Sequence, residues 1–341
     1  MKRLLKLIPT VIIIALLVWV LWGINFYEVY DLIASANLIW FFLAVISSIM
    51  VFVVWNLRCQ YIFSPYIKGD FKFFMHVLLA GSFFNTVTPG AGIGGEPFRA
   101  HFLAKKYKKP HSKVLAYVLG DTFFKIAILF CLVIFSVFFV LVYVKIPSSL
   151  KITFEIILIS VFLVSVLLIV FIFKQFRIKP GVLFKRLYFF KFINKRFESG
   201  EHLSDFINDI IHKMSKIFRK VVINRNNLFI GFVLTIFFWI FNFLIAYFLF
   251  LSFGRHVNFL SVLVVVTLAE IIGAISIVPG GVGVIEGSMI LLYSAMGIPP
   301  SLALLVSFLS RMIYYFFSLF IGGMSLVYLR KITGNGRKNF F

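Results

Sequence analysis

The sequence predicts an all-α polytopic membrane protein: about six transmembrane helices plus two oppositely oriented re-entrant helical hairpins that form an inverted repeat. Three observations lead there. The 341 residues are 62% hydrophobic and only 13% charged, where a soluble domain carries about a quarter charged residues. Charge-free stretches at Leu38–Leu57, Ile126–Val144 and Leu228–Leu251 reach the ~20 residues that cross a bilayer core. Two apolar regions are each broken by a Pro-Gly segment, NTVTPGAGIGGEPFRAH at 85–101 and SIVPGGVGVIEGS at 276–288.

The net charge of +22 reads as loop bias, because Lys and Arg collect on the cytoplasmic side of membrane proteins; no nucleic-acid partner is expected. Lys2, Arg3 and Lys6 place the N-terminus inside, and the apolar run to Trp22 reads as an uncleaved first span, since Glu28 and Asp31 part it from the Ala34–Ala36 triplet. The loop carrying those two acids suits the outside. A second span at Leu38–Leu57 returns to a loop bearing Arg58, Lys68 and Lys72. Residues 97–113 hold six basic and no acidic residues. Both flanks of 73–96 are therefore inside, which makes that segment a hairpin rather than a span.

The third span, 114–144, goes out and the fourth, 156–173, comes back. Residues 174–226 hold thirteen Lys/Arg against four Asp/Glu and belong inside. From Leu203 to Val221 their apolar residues keep helical spacing, as in a helix lying on an anionic leaflet; a plain helical connector is the alternative. The fifth span is Leu228–Leu251. A second hairpin at about 259–296, a turn at Gly297–Pro300 and a last span at about 301–329 bring the C-terminus inside. The whole reads as one transmembrane domain, with repeat 1 at about 38–144 and repeat 2 at about 228–329.

A shift of 190 residues sets Pro89 on Pro279, Gly90 on Gly280, Glu96 on Glu286, and Asp121 opposite Arg311. Three spans part the hairpins, so they enter from opposite sides, as in transporters whose substrate sites lie at a repeat interface. Irregular backbone at membrane depth must be satisfied by protein or by a water-filled cavity. The helices that restart after each break, with Pro97 at a first-turn position, point their N-termini inward and suit an anion such as a lipid phosphate.

Ionisable residues in apolar segments are costly and face the interior. The candidates are Glu96, Arg99, Glu286 and Arg311, with Asp121 and Lys125 as charge partners and Glu270 weaker. Arg99 is expected to hold a phosphate, and Arg311 to pair with Asp121 or Glu286. The alternative is that all are internal salt links fixing the bundle. Gly90, Gly92 and Gly95 match a dinucleotide fingerprint, but no βαβ unit accompanies them. Cys59 and Cys131 suggest no disulfide framework, and no metal or cofactor is expected.

Asn85 with Pro89, Gly95-Glu96 with Arg99, Pro279-Gly280-Gly281-Val282-Gly283 with Glu286, and Arg311 together resemble the transmembrane region of lysylphosphatidylglycerol synthases, a flippase-like family. The likeness in layout covers nearly the whole chain. It implies a prokaryotic inner-membrane protein that binds or translocates an anionic lipid or lipid-linked head group at Asn85, Pro89, Gly90, Gly95, Glu96, Arg99, Pro279, Gly280, Gly281, Gly283, Glu286 and Arg311. The sequence ends at Phe341 without the soluble aminoacyl-transferase domain of larger members, so lipid lysinylation, and enzyme activity with it, is not expected. Relatives often carry a Glu-Arg cluster where this chain reads Gly120-Asp121-Thr122-Phe123-Phe124-Lys125. A membrane-embedded enzyme or enzyme partner in lipid-linked glycan synthesis, and a membrane scaffold, are the alternative readings; a homo-oligomer is compatible with any of them.

Overall fold

The computed structural model describes residues 26–88, 94–144, 159, 216–221, 224–276 and 278–334. These fold into helices alone, with no strand among the described residues. They are α1 (Phe26–Ala34), α2 (Leu38–Phe63), α3 (Phe71–Val87), α4 (Glu96–Tyr107), α5 (His111–Tyr143), α6 (Arg225–Ser252), α7 (Phe259–Ile275), α8 (Val284–Ala295) and α9 (Pro300–Ile332). Four of them, α2, α5, α6 and α9, are long and apolar enough to cross a bilayer. The expected span before residue 25 and, but for Ile159, the one at 156–173 lie outside the described residues, as do Pro89 and Gly90 and the connector up to residue 215.

Local chemistry sets the boundaries. Asn37, Asp70, Asn224 and Asn258 each accept a backbone N–H from the first turn of the helix they precede, which satisfies a donor that has no intrahelical acceptor. Gly297 turns the chain with φ +82° before Pro300 opens α9.

The element lengths repeat. Helices α2 and α6 have 26 and 28 residues, α3 and α7 both 17, α4 and α8 both 12, and α5 and α9 both 33. The equivalent pair α2/α6 shows how the halves are related. Asn37 N–H, at the start of α2, donates to Ser252 O at the end of α6 over 2.7 Å. Near the other end Arg58 Nη1 donates to Thr235 Oγ1 over 2.9 Å. Two equivalent helices thus run antiparallel, which makes the repeat an inverted one.

Each hairpin docks on the long helix of the other repeat. His76 of α3 bonds Ser325 of α9 at 3.0 Å, and Val264 and Leu268 of α7 share an apolar cluster with Val133, Val137 and Val140 of α5. Within the first hairpin, α3 and α4 approach so closely that a Cβ on Gly95 would collide with the Gly81 carbonyl. Helix α9 is not uniform: Phe316–Ile321 is a π-helical segment, and α5 has no counterpart to it.

Three sequence expectations change. The first hairpin does not end at residue 96: the helix expected to restart at Pro97 is α4, and it runs on to Tyr107 as the hairpin's returning limb, through the basic stretch taken as its flank. That limb buries Glu96, Arg99, Ala100, Phe102, Leu103 and Ala104 and carries Lys105 and Lys106 in its last turn, so counting charges cut the hairpin short of its second limb. The supposed outer loop with Asp31 is helix α1. The end of the connector, 216–221, turns its apolar face to protein instead of lipid: Val221 is buried, and the Phe218 ring meets Phe123 edge-on at 5.8 Å.

Candidate functional site

The break of the second hairpin meets the end of α3. Gly280, with φ +63°, sits at the tip of the second hairpin, and a Cβ there would stand 3.0 Å from Thr86 O at the end of α3. Only glycine takes that φ without strain. Beside this junction lies a cavity of about 320 Å³, lined from both repeats by Asn85, Glu96, Lys125, Trp239, Glu270 and Arg311 among others.

On the repeat 1 side a buried charge cluster backs the cavity. Asp121 of α5 accepts from Arg58 Nε at 2.8 Å, from Arg99 Nη2 at 2.7 Å and from Trp55 Nε1 at 3.1 Å. All three ionised side chains are 1% exposed or less. Burying charge is tolerable only when it is paired and hydrogen-bonded, and both carboxylate oxygens here are taken. Arg99 therefore does not reach for a phosphate. It is locked behind Asp121, and the Arg on the cavity wall is Arg58, which the charge count had placed in a loop.

On the repeat 2 side Arg311 of α9 is the hub. It donates to Gly280 O at 2.8 Å and to Tyr315 Oη at 3.2 Å, and it lies 3.4 Å from Glu286 and 3.5 Å from Glu270. Glu286 also accepts the Gly283 N–H at 2.6 Å and the Tyr315 hydroxyl at 3.1 Å. Of the two expected partners for Arg311, the structure chooses Glu286; Asp121 is held by the other arginines.

These contacts also correct the anion reading of the hairpins. A helix N-terminus favours negative charge, but α8 fills its own with Glu286, and Glu96 occupies the first position of α4. The positive ends are thus met by the protein's own carboxylates.

The remaining sequence candidates sort by position. Asn85 lines the cavity and clips the first break shut, its Oδ1 accepting Gly95 N–H at 2.6 Å. Gly280 and Gly281 line the cavity, while exposed Pro279 and half-buried Gly283 shape the turn around them. Lys125 does not neutralise Asp121. It faces the cavity with its Nζ 5.8 Å from the Phe238 ring centroid, and it makes no ion pair among the described residues.

Sequence reasoning passed over Arg58, Trp55, Trp239 and Asn242, and set Glu270 aside. Arg58 had a signal: the apolar stretch Tyr61–Phe63 follows it, so the helix runs on past the charge. Trp239 and Asn242 had none, since neither type is unusual in an apolar span.

Similarity to known proteins agrees with this architecture. The chain is 25% identical to the UPF0104 membrane protein of Pyrococcus horikoshii over 97% of this chain and 98% of that one. It is 24% identical to a UPF0104 membrane protein of Methanothermobacter thermautotrophicus over 88% of both. A shorter match, 30% identical over 96 residues, covers 27% of this chain and 11% of the phosphatidylglycerol lysyltransferase of Staphylococcus aureus. The family model for the lysylphosphatidylglycerol synthase TM region matches residues 6–322, and the chain is a multi-pass membrane protein that belongs to this family.

Proposed function

We propose that this protein binds an anionic phospholipid or a phosphate-linked lipid head group and carries it between leaflets, without covalent chemistry. The observation that carries this reading is the cavity between the two repeats, beside the tip of the second hairpin, walled by apolar helices yet presenting Arg58, Lys125 and Arg311. Ionisable groups at membrane depth mark substrate paths, and about 320 Å³ is within the usual range for ligand cavities. Lys125 makes no ion pair among the described residues, so a phosphate would supply it with a direct anionic partner. The short likeness to an enzyme named for phosphatidylglycerol supports a lipid as cargo.

In this reading the protein sits in the prokaryotic inner membrane with both termini cytoplasmic, and the Lys-rich 105–113 and 174–226 segments lie on the anionic cytoplasmic face. The test is leaflet exchange of a fluorescent phosphatidylglycerol in proteoliposomes, followed by chemical quenching of the outer leaflet. We expect the wild type to speed exchange and Lys125→Met to slow it by about tenfold, the worth of one charge-assisted contact. Exchange no faster than in protein-free vesicles would sink the carrier reading.

A further inference from the structure

The charges in and around the cavity balance. Among the described residues there are four cations, Arg58, Arg99, Lys125 and Arg311, and four carboxylates, Glu96, Asp121, Glu270 and Glu286. Arg58, Lys125, Arg311, Glu96 and Glu270 line the cavity. The other three are tied to these: Asp121 bonds Arg58 and Arg99, and Glu286 lies 3.4 Å from Arg311. With all eight ionised the set has no net charge. An anion that enters it leaves one uncompensated negative charge in a low-dielectric region, which is costly. One proton taken up with the anion cancels that charge.

The carboxylates differ in how free they are to take it. Asp121 has both oxygens on buried donors. Glu286 accepts the Gly283 N–H at 2.6 Å and the Tyr315 hydroxyl at 3.1 Å. Glu96 is 4% exposed at the start of α4, with Oε1 on Thr122. The Glu270 side chain is 41% exposed, and its bond to Arg311 Nη1 is 3.5 Å long, beyond a well-formed N–H···O contact. It is the carboxylate that water reaches and that the fold holds least.

Its neighbours suit the exchange. Helix α9 presents Arg311, with the Tyr314 and Tyr315 ring centroids 4.8 and 5.0 Å from the guanidinium carbon. Helix α8 presents Glu286 on the same arginine, and α5 presents Lys125 to the same cavity. Helix α6 and the hairpin tip present no ionisable side chain to it. Glu270 and Glu286 thus share one arginine, a local excess of one negative charge. An anion entering the cavity adds to that excess and a bound proton removes it, so each favours the other, and the preference is reciprocal.

We propose that the anionic cargo moves together with one proton, and that Glu270 is the carboxylate that carries it. The proton comes from water on the side where the anion enters and returns to water where it leaves; an O–H bond forms and later breaks, and nothing else. While neutral, Glu270 leaves the Arg311 Nη1–H to the anion, and anion and proton cross without net charge. The inference rests on the carrier reading and adds its driving force.

The test uses the full chain in proteoliposomes with fluorescent phosphatidylglycerol. A pH step of about one unit is set across the membrane, and potassium with valinomycin holds the potential at zero. Protein-free vesicles under the same step correct for the lipid's own movement. The wild type should gather the lipid in the leaflet on the alkaline side, towards a ratio of about tenfold, the equilibrium for one proton per anion at one pH unit. Glu270→Gln should exchange the lipid without building that asymmetry. Glu270→Asp keeps a titratable group and should build it, as should Glu96→Gln.

An even distribution in a wild type that does exchange lipid would overturn the coupling and leave the carrier reading standing. Accumulation on the acidic side would overturn it too, since cargo and proton would then move in opposite directions. Asymmetry kept in Glu270→Gln would overturn the assignment to Glu270. Exchange no faster than in protein-free vesicles would remove the carrier reading and the coupling with it. The wild-type distribution decides the coupling even if a variant fails to fold.

Discussion

The two repeats use the same link with opposite signs. In repeat 1 the returning hairpin limb α4 supplies a cation, Arg99, to an anion on the long helix, Asp121, at 2.7 Å. In repeat 2 the returning limb α8 supplies an anion, Glu286, to a cation on the long helix, Arg311, at 3.4 Å. The first link is dry, with both side chains fully buried, and a second arginine completes it. The second borders the cavity, is longer, and shares its arginine with Glu270, whose side chain is 41% exposed. Low dielectric and a carboxylate held on both oxygens lock the first; the exposure of Glu270 and a choice of carboxylates set the second apart. One hairpin is therefore anchored, and the other is held by an arginine that also grips its tip through Gly280 O.

This contrast can be broken from either side. The largest effect is expected for Asp121→Asn, which leaves Arg58 and Arg99 buried without a carboxylate. Removing one partner of a buried pair costs about 3–5 kcal/mol, so the melting temperature of the purified protein should fall on the order of 10 °C, with loss of monodispersity on gel filtration. Arg311→Gln should cost less, about 1–3 kcal/mol, because Glu286 keeps the Gly283 N–H and the Tyr315 hydroxyl. A larger fall for Arg311→Gln than for Asp121→Asn would reverse the ranking of the two links. Gly280→Ala places a side chain at φ +63° and 3.0 Å from Thr86 O; we expect about 1–2 kcal/mol of destabilisation and slower lipid exchange in proteoliposomes. Glu270→Gln should be the mildest, within about 1 kcal/mol. A double-mutant cycle sharpens the point: the coupling of Arg99 to Asp121 should exceed that of Arg311 to Glu270 severalfold.

Much of the fold was legible because bilayer physics writes it in one dimension. The second hairpin, its turn at Gly297 and the span after it came from apolar length and Pro-Gly breaks, and α7, α8 and α9 fall where those signals put them. The start of α4 was legible in the break and Pro97, but its extent as the hairpin's second limb was not, because positive charge served as a marker for the flank, whereas Lys105 and Lys106 lie in the last turn of the helix, where cations favour the dipole. Glu96, Lys125, Gly280 and Arg311 were singled out as charges or breaks in apolar surroundings, and all four reach the cavity wall. Arg99 was singled out by the same rule and does not, since a charge count cannot tell a cavity wall from a dry pair.

By itself the sequence determined the membrane class, the doubled helix order and the inversion. Those depend on the lengths of apolar runs and the parity of crossings, both local along the chain. Only the tertiary structure decided the pairing. Asp121 is 63 residues from Arg58 and 22 from Arg99, and it could have been offered to Arg311 just as well until the helices packed. Coulomb attraction does not choose among partners of equal charge. The antiparallel docking of α2 on α6, and of each hairpin on the opposite long helix, sets which of them come within 3 Å, and so leaves Lys125, Trp239 and Glu96 turned towards the cavity.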